Sequence, residues 1–348
     1  MATGIFQLTK KEKELLRDND IPADMWLSLL EKSPHATPFQ TPEFYSLINS
    51  VSGMSGHAFA VAENDKLTAL AVAAVFAGRG PVGFFSRRAI IYGGPLLLPG
   101  EHESLEPLLG LISGVLSRKA IYIETRNYSD YGECRTVFGR NGWSYVPYLD
   151  IRIDTADYDS MTSALSASRR RQIRKGAASG AEIKEAVSLT DVEAFYRLLK
   201  DHYDKRVRKP LMPAEFFIEA FRREFGKFLL VCYGERIIGG IFCPLLEGRS
   251  IYEFYVCGLD HEFRELYPSV MATWAAMEYA SRNGIPFFDL MGAGKPGEDY
   301  GVREFKTRFG GRQEEFGRYL FINKPILYRI GRAGVKMMGK LTHSANTD

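Results

Sequence analysis

The segment 299–311, DYGVREFKTRFGG, sets a lysine among packing residues. On a helix advancing by about 100° per residue, Phe305, Lys306 and Phe309 fall within about 60° of Val302. An ammonium on an apolar face is costly unless it is paired or functional. Lys306 is therefore either a working cation or a snorkelling side chain whose charge complements the helix end before Gly310 and Gly311. Arg303, on the same segment, is a candidate substrate-binding residue.

Two carboxylates stand inside apolar, strand-like runs: Glu253 in IYEFYV and Asp289 in PFFDLM. Desolvation raises the pKa of such groups unless cations or donors pair with them. Each is a candidate general base or a partner for Lys306. Tyr252 and Tyr255 flank Glu253 on opposite faces of that strand, so at most one of them lines a given cleft. Further arginines are candidates for binding an anionic substrate. Arg206 falls in the apolar stripe formed by Val192, Phe195, Tyr196, Leu199 and Tyr203 on a helix expected over 190–207, and Arg208 follows it. Their guanidinium groups can clamp a phosphate or carboxylate, or simply close a helix with basic charge. Arg174 belongs to a denser cluster, Arg169, Arg170, Arg171, Arg174 and Lys175, which fits either a polyanion or a solvated helix end.

The elements that must position these residues read as a duplication. AFAVAENDKLTALAVAAVF and FLLVCYGERIIGGIFCPLL are each two apolar strands around a tight polar turn. Asp65 matches Glu235, Phe138 matches Phe309 and Glu124 matches Asp289, at offsets of 170, 171 and 165 residues. Each copy has helices, a hairpin, a helix, a strand ending in a carboxylate, a further helix and a last strand. That order implies a mixed α/β sheet with helices on both faces. The expected division is residues 1–153, 154–322, and a basic amphipathic helix with its tail over 323–348. This last helix either docks on the first domain or touches anionic lipid with its Lys and Arg face.

Bulk properties exclude several classes. A chain of 348 residues with 45% hydrophobic and 25% charged residues has too much core for disorder and too much length for one ordinary domain. No apolar run approaches the roughly 20 residues of a spanning helix, and no signal-peptide pattern opens the chain, so a cytoplasmic location is expected. The four cysteines form no C-x-x-C pair and the six histidines no i, i+4 pair, so neither metal nor disulfide is expected. A net charge of +3 leaves anion binding to local clusters.

SRRRQIRKGAASGAEI, GERIIGGIF, YPSVMATWAAMEYASRNGIPFFDLMGAG and GVREFKTRFGG resemble the FemAB family and its relatives in the GNAT superfamily, well over residues 160–320. In the first half the likeness is one of layout, including PFQTPEFYSLI. The resemblance implies two tandem GNAT-like domains and transfer of an amino acid from aminoacyl-tRNA to the amino group of a cell-wall precursor, at the inner face of the membrane where that precursor is lipid-linked. It implies that Lys306 matches the lysine of the family's F-K-x-x-F-G motif, which stabilises the transition state of acyl transfer, and that precursor phosphates lie near Arg206. An ordinary acetyl-CoA-binding GNAT has a glycine-rich pyrophosphate loop before its long helix, whereas this chain reads FRELYPSVMA there. The chain also lacks room for the coiled-coil arm of larger family members. Two alternatives remain at this level: acyl-CoA-dependent N-acylation of a polysaccharide or lipid building block, and non-catalytic binding of anionic lipid or RNA.

Overall fold

The computed structural model describes residues 13–77, 87–207 and 210–333, and the fold is the expected mixed α/β type. In the first half, strands Met54–Glu63 and Lys66–Phe76 form a long hairpin. Its two turn residues, Asn64 and Asp65, both have positive φ, 50° and 56°, as a twist-matched two-residue turn requires. The second half repeats the device with Lys227–Tyr233 and Arg236–Cys243 around Gly234 and Glu235. In each half a carboxylate-bearing strand then pairs in parallel: Tyr122–Asn127 with Arg88–Gly93, and Phe287–Asp289 with Ser250–Tyr252. Phe138 and Phe309, matched by the repeat, are both fully buried.

The sheets do not follow the chain in simple succession. The run WSYVPYLDIRI, apolar enough to read as one strand, enters two: Ser144–Val146 in the first sheet and Asp150–Asp154 in another. Asp150–Asp154 lies between Phe287–Asp289 and Arg312–Glu314 of the second half. Reciprocally, Arg318–Ile322 lies between Tyr122–Asn127 and Ser144–Val146 of the first. Each half thus lends its last strand to the other, and the sheets cross the division expected at 153/154. Alternating apolar runs report which residues face a core but not which strand stands alongside, so sequence pattern cannot show this exchange.

Between the halves lies an aromatic core centred on Phe39, whose ring contacts Phe44, Tyr92 and Tyr128 from the first half and Phe225, Tyr252 and Phe254 from the second. Phe39 is held by its own segment. Thr37 and Gln40 cap one another, Gln40 Nε2 donates to Gly94 O at 2.7 Å, and Trp26 Nε1 donates to Gln40 O at 2.7 Å. Beyond residue 322 the chain turns into a helix from 325, and Tyr328 packs edge-on against Tyr122 of the first sheet. Met337, Met338 and Leu341 of the expected closing helix lie outside the described residues. Among the described residues no helix is long and apolar enough to cross a membrane.

Candidate active site

The site begins where two paired strands part. Ser250–Tyr252 runs parallel to Phe287–Asp289, with Glu253 N donating to Asp289 O at 2.9 Å. After Glu253 the chain leaves that sheet, and Tyr255–Gly258 pairs instead with Arg236–Cys243. IYEFYV is thus two strands broken at Glu253 and Phe254 rather than one. On the other side, residues 290–294 follow Asp150–Asp154 through Leu290 N to Ile151 O and Ala293 N to Leu149 O. Met291 and Gly292 bulge out between these bonds, with Met291 at a φ of 53°, an uncommon conformation for a residue with a side chain.

Lys306 fills this gap. It lies on the short helix Gly301–Thr307, is 7% exposed, and directs Nζ at Glu253 Oε1, 3.1 Å away. The same nitrogen donates to Leu290 O and makes longer contacts to Met291 O at 3.3 Å and Gly292 O at 3.5 Å. The ammonium satisfies carbonyls that the bulge removes from the ladder, which is why it is tolerated away from water. Two of its bonds are short or charged; the two longest are weak and exchangeable. Val302, expected on the same buried face, is 43% exposed. A two-turn helix anchored by Lys306 and by Arg303 takes its orientation from those bonds rather than from its apolar stripe.

Glu253 is fully engaged: Oε1 meets Lys306 and Oε2 accepts from Thr273 Oγ1 at 3.2 Å. Burial raises its pKa, and the Lys306 charge opposes that rise. Asp289, 1% exposed, accepts from Met291 N at 2.7 Å through Oδ1, while Oδ2 has no hydrogen-bond partner among the described residues and stands 3.8 Å from Arg152 Nη2. Beside it lies Asp150, which the sequence reading overlooked although the alternation LDIRID puts Asp150 and Arg152 on one strand face. Burial and then the Asp289 charge push the Asp150 carboxyl well above the usual carboxylate range. Asp289 thus faces Arg152 and Asp150, while Glu253 faces Lys306.

The helix bearing Lys306 is clamped from both ends. Arg303 donates to Ala293 O at 2.8 Å, Glu298 O at 2.9 Å and Lys295 O. Its guanidinium therefore orders the 293–298 loop and is occupied by backbone rather than open to substrate. At the other end Arg169, only 3% exposed, donates to Phe305 O at 3.0 Å and covers the rings of Phe305 and Phe309. Burial, then the charge of Arg308, pulls its pKa down to about 10. Arg170 bonds the carbonyls of Ser163 and Leu165, and Lys175 pairs with Glu265 at 2.8 Å. The basic cluster is thus partly structural, with Arg171 and Arg174 exposed. The glycines of the motif serve the same packing: Gly310 has φ 86°, and a Cβ there would stand 2.4 Å from Ala164 O.

Of the remaining candidates, Tyr252 is buried in the aromatic core between the halves, where its hydroxyl accepts from Ser250 Oγ at 3.1 Å. Tyr255 packs against Tyr203 and Phe217. Tyr203, whose hydroxyl is pushed up to about 12 by burial and then by Cys257 and Glu253, opens a single π-helical turn, Tyr203–Val207, that ends helix Leu189–His202. Such turns are rare and cluster at functional sites. Arg206 is exposed on this turn and makes no contact with Lys306; Arg208 lies outside the described residues.

Residues 166–307 match the acetyltransferase (GNAT) domain family. FemX superimposes over 90% of this chain and 99% of its own, with a TM-score of 0.68 at 13% identity. The chain has the fold of FemX, and a GNAT domain occupies residues 166–307 of it. A tandem GNAT protein from the clavulanic acid biosynthesis pathway (TM-score 0.54, 12% identity, 90% and 99% covered) and L-PGS from Bacillus licheniformis (0.55, 10%, 92% and 97%) share that fold. No curated protein matches the sequence. Residues 166–307 are thus a domain of the GNAT acetyltransferase type within a chain of FemX-like fold.

Within the GNAT domain the long helix Pro268–Arg282 begins in an unusual way. Tyr267 precedes it with φ 47°, Pro268 has no N–H, and Met271 N donates to Tyr267 O at 2.9 Å. Ser269 gives both its N–H, at 3.1 Å, and its hydroxyl to the carboxylate of Asp260. A helix N-terminus attracts anions through its free amides and dipole; here the chain's own carboxylate occupies that position.

Proposed function

We propose that the protein forms an amide by moving an aminoacyl group from an ester donor, an aminoacyl-tRNA, to an amino group of a cell-wall precursor. The observation that carries this choice over acyl-CoA is the Asp260 carboxylate on Ser269. A CoA pyrophosphate at that helix start would meet a negative charge and few free amides. The FemAB resemblance supports the same donor and a peptidoglycan precursor as acceptor.

In this reading the acceptor nitrogen adds to the ester carbonyl carbon and negative charge develops on the carbonyl oxygen. Lys306 turns the hydrogen now spread over Met291 O and Gly292 O toward that oxygen, while Glu253 and Leu290 O keep its nitrogen in place. Collapse breaks the ester C–O bond, and the ribose oxygen leaves with a proton equivalent to the one the nitrogen gives up. Glu253 is then the positioning residue for Lys306, since neither of its oxygens is free to take a proton. Asp289, with Asp150 and Arg152, forms the layer beneath. Exposed Ile326 and Ile330, with Arg329 and Arg332 between and beside them, support peripheral contact with a membrane that carries a lipid-linked acceptor.

The test compares donors. Amine-bearing precursor is incubated with the protein and either a mixture of charged tRNAs or a set of acyl-CoAs, and products are identified by mass spectrometry. The proposal expects amide from the charged tRNAs and no thermal stabilisation by free CoA. Amide formed from acyl-CoA alone, with stabilisation by CoA, would overturn the donor assignment.

A further inference from the structure

The face of the first sheet that looks toward the second domain carries more positive charge than folding accounts for. Arg126 and Arg318 are cross-strand partners on Tyr122–Asn127 and Arg318–Ile322. Like charges directly opposite one another weaken a sheet. Glu124 relieves part of that repulsion: Arg126 Nε and Arg318 Nη1 both donate to its Oε1 at 2.8 Å. Burial would raise the Glu124 pKa, but Arg126 and then Arg318 outweigh it and hold the carboxyl below its ordinary value. Arg88 stands on the same face and also acts on Glu124. Three guanidinium groups against one carboxylate leave two positive charges, on side chains that are partly buried yet reachable: 32% exposed for Arg126 and 21% for Arg318. The two arginines converge on a single oxygen, and neither makes a further hydrogen bond among the described residues, so each fork keeps donors to spare.

This cluster joins the Lys306 site by contact on two sides. Arg318 stacks on the ring of Tyr148 at 3.5 Å, and Tyr148 abuts Gly292, where a Cβ would stand 2.9 Å from its Cε1. Gly292 O in turn faces Lys306 Nζ. On the other side Arg126 lies over Tyr92 at 5.3 Å, Tyr92 meets Phe254 at 5.6 Å, and Phe254 follows Glu253. Spare planar donors with a surplus of two charges match a phosphate dianion better than a single carboxylate.

We propose that Arg126 and Arg318 bind a phosphate group of the acceptor substrate, with Glu124 holding the two guanidinium forks in register until it arrives. That the phosphate belongs to the acceptor rests on the acyl-transfer reading of Lys306; that a phosphate binds does not. Pyrophosphate binding to the full chain, measured by calorimetry without any turnover, separates the two. Arg126→Met and Arg318→Met are each expected to weaken binding about tenfold or more, as loss of a charge-assisted bidentate contact does. Glu124→Gln, which removes the internal competitor, is expected to tighten it several-fold, and this variant keeps the test open if an arginine variant fails to fold. Competition by UDP would assign the phosphate to a soluble nucleotide-linked substrate. Competition by phosphatidylglycerol vesicles would assign it to a lipid-linked one. No pyrophosphate binding by the wild type, equal binding by folded arginine variants, or unchanged binding by Glu124→Gln would overturn the proposal.

Discussion

Replacing Glu253 with glutamine removes the counter-charge of a buried ammonium while keeping the shape of the side chain. Lys306 is 7% exposed and its charge is met by one carboxylate at 3.1 Å and by backbone carbonyls. Breaking one partner of a buried pair typically costs about 3–5 kcal/mol, because the other charge stays behind. The carbonyls of Leu290, Met291 and Gly292 solvate part of that charge, so the lower end, about 3 kcal/mol, is expected for Glu253→Gln. Lys306→Met should cost less, since a carboxyl whose pKa burial already raises can escape by taking a proton. The double variant replaces the pair with neutral groups and should be more stable than Glu253→Gln alone. Urea unfolding at neutral pH, followed by circular dichroism and fluorescence with a check that the slope is unchanged, supplies all four corners of the cycle. A loss under about 1 kcal/mol for Glu253→Gln, the range of an exposed pair, or a double variant as unstable as the sum of the singles, would refute the reasoning.

Asp260→Ala removes the carboxylate that caps Ser269; it should lose about 0.5–2 kcal/mol of stability and gain a thermal stabilisation by free CoA that the wild type does not show. His35 supplies a pH dependence. Burial, then His102, lowers its pKa to about 4, so the folded protein keeps the ring neutral where the unfolded chain protonates near 6.5. Stability should be full above that value, fall as pH drops toward 4, and lose no more from this group below it; discounted for partial exposure the loss is about 2 kcal/mol. Unfolding of His35→Gln measured between those limits should be flatter by that amount.

The position of Lys306 was legible from helical spacing alone, and the carboxylates Glu253 and Asp289 stood out as charges in apolar strands. That one of them would partner Lys306 was legible too, but not which, because that depends on where two strands part, and the run IYEFYV gives no sign that its halves enter different sheets. For the same reason the exchange of Asp150–Asp154 and Arg318–Ile322 between halves escapes a pattern that records only inside and outside. Charge clusters mislead in another way. Arg169 and Arg174 look alike in SRRRQIR, yet one is sealed over Phe305 and Phe309 and the other is exposed. Asp150 and Arg152 could have been found, since strict alternation in LDIRID puts Asp150, Arg152 and Asp154 on one face of a strand opposite Ile151 and Ile153.

The role of Lys306 is tested most directly by single-turnover transfer with the wild type and Lys306→Met, both shown to be folded, using charged tRNAs and an amine-bearing cell-wall precursor. Amide is quantified by mass spectrometry. The expected result is a rate lower by about 10²–10³-fold in the variant, the size of losing one oxyanion donor, with acceptor binding unchanged. Product formed by Lys306→Met at the wild-type rate would contradict the assignment.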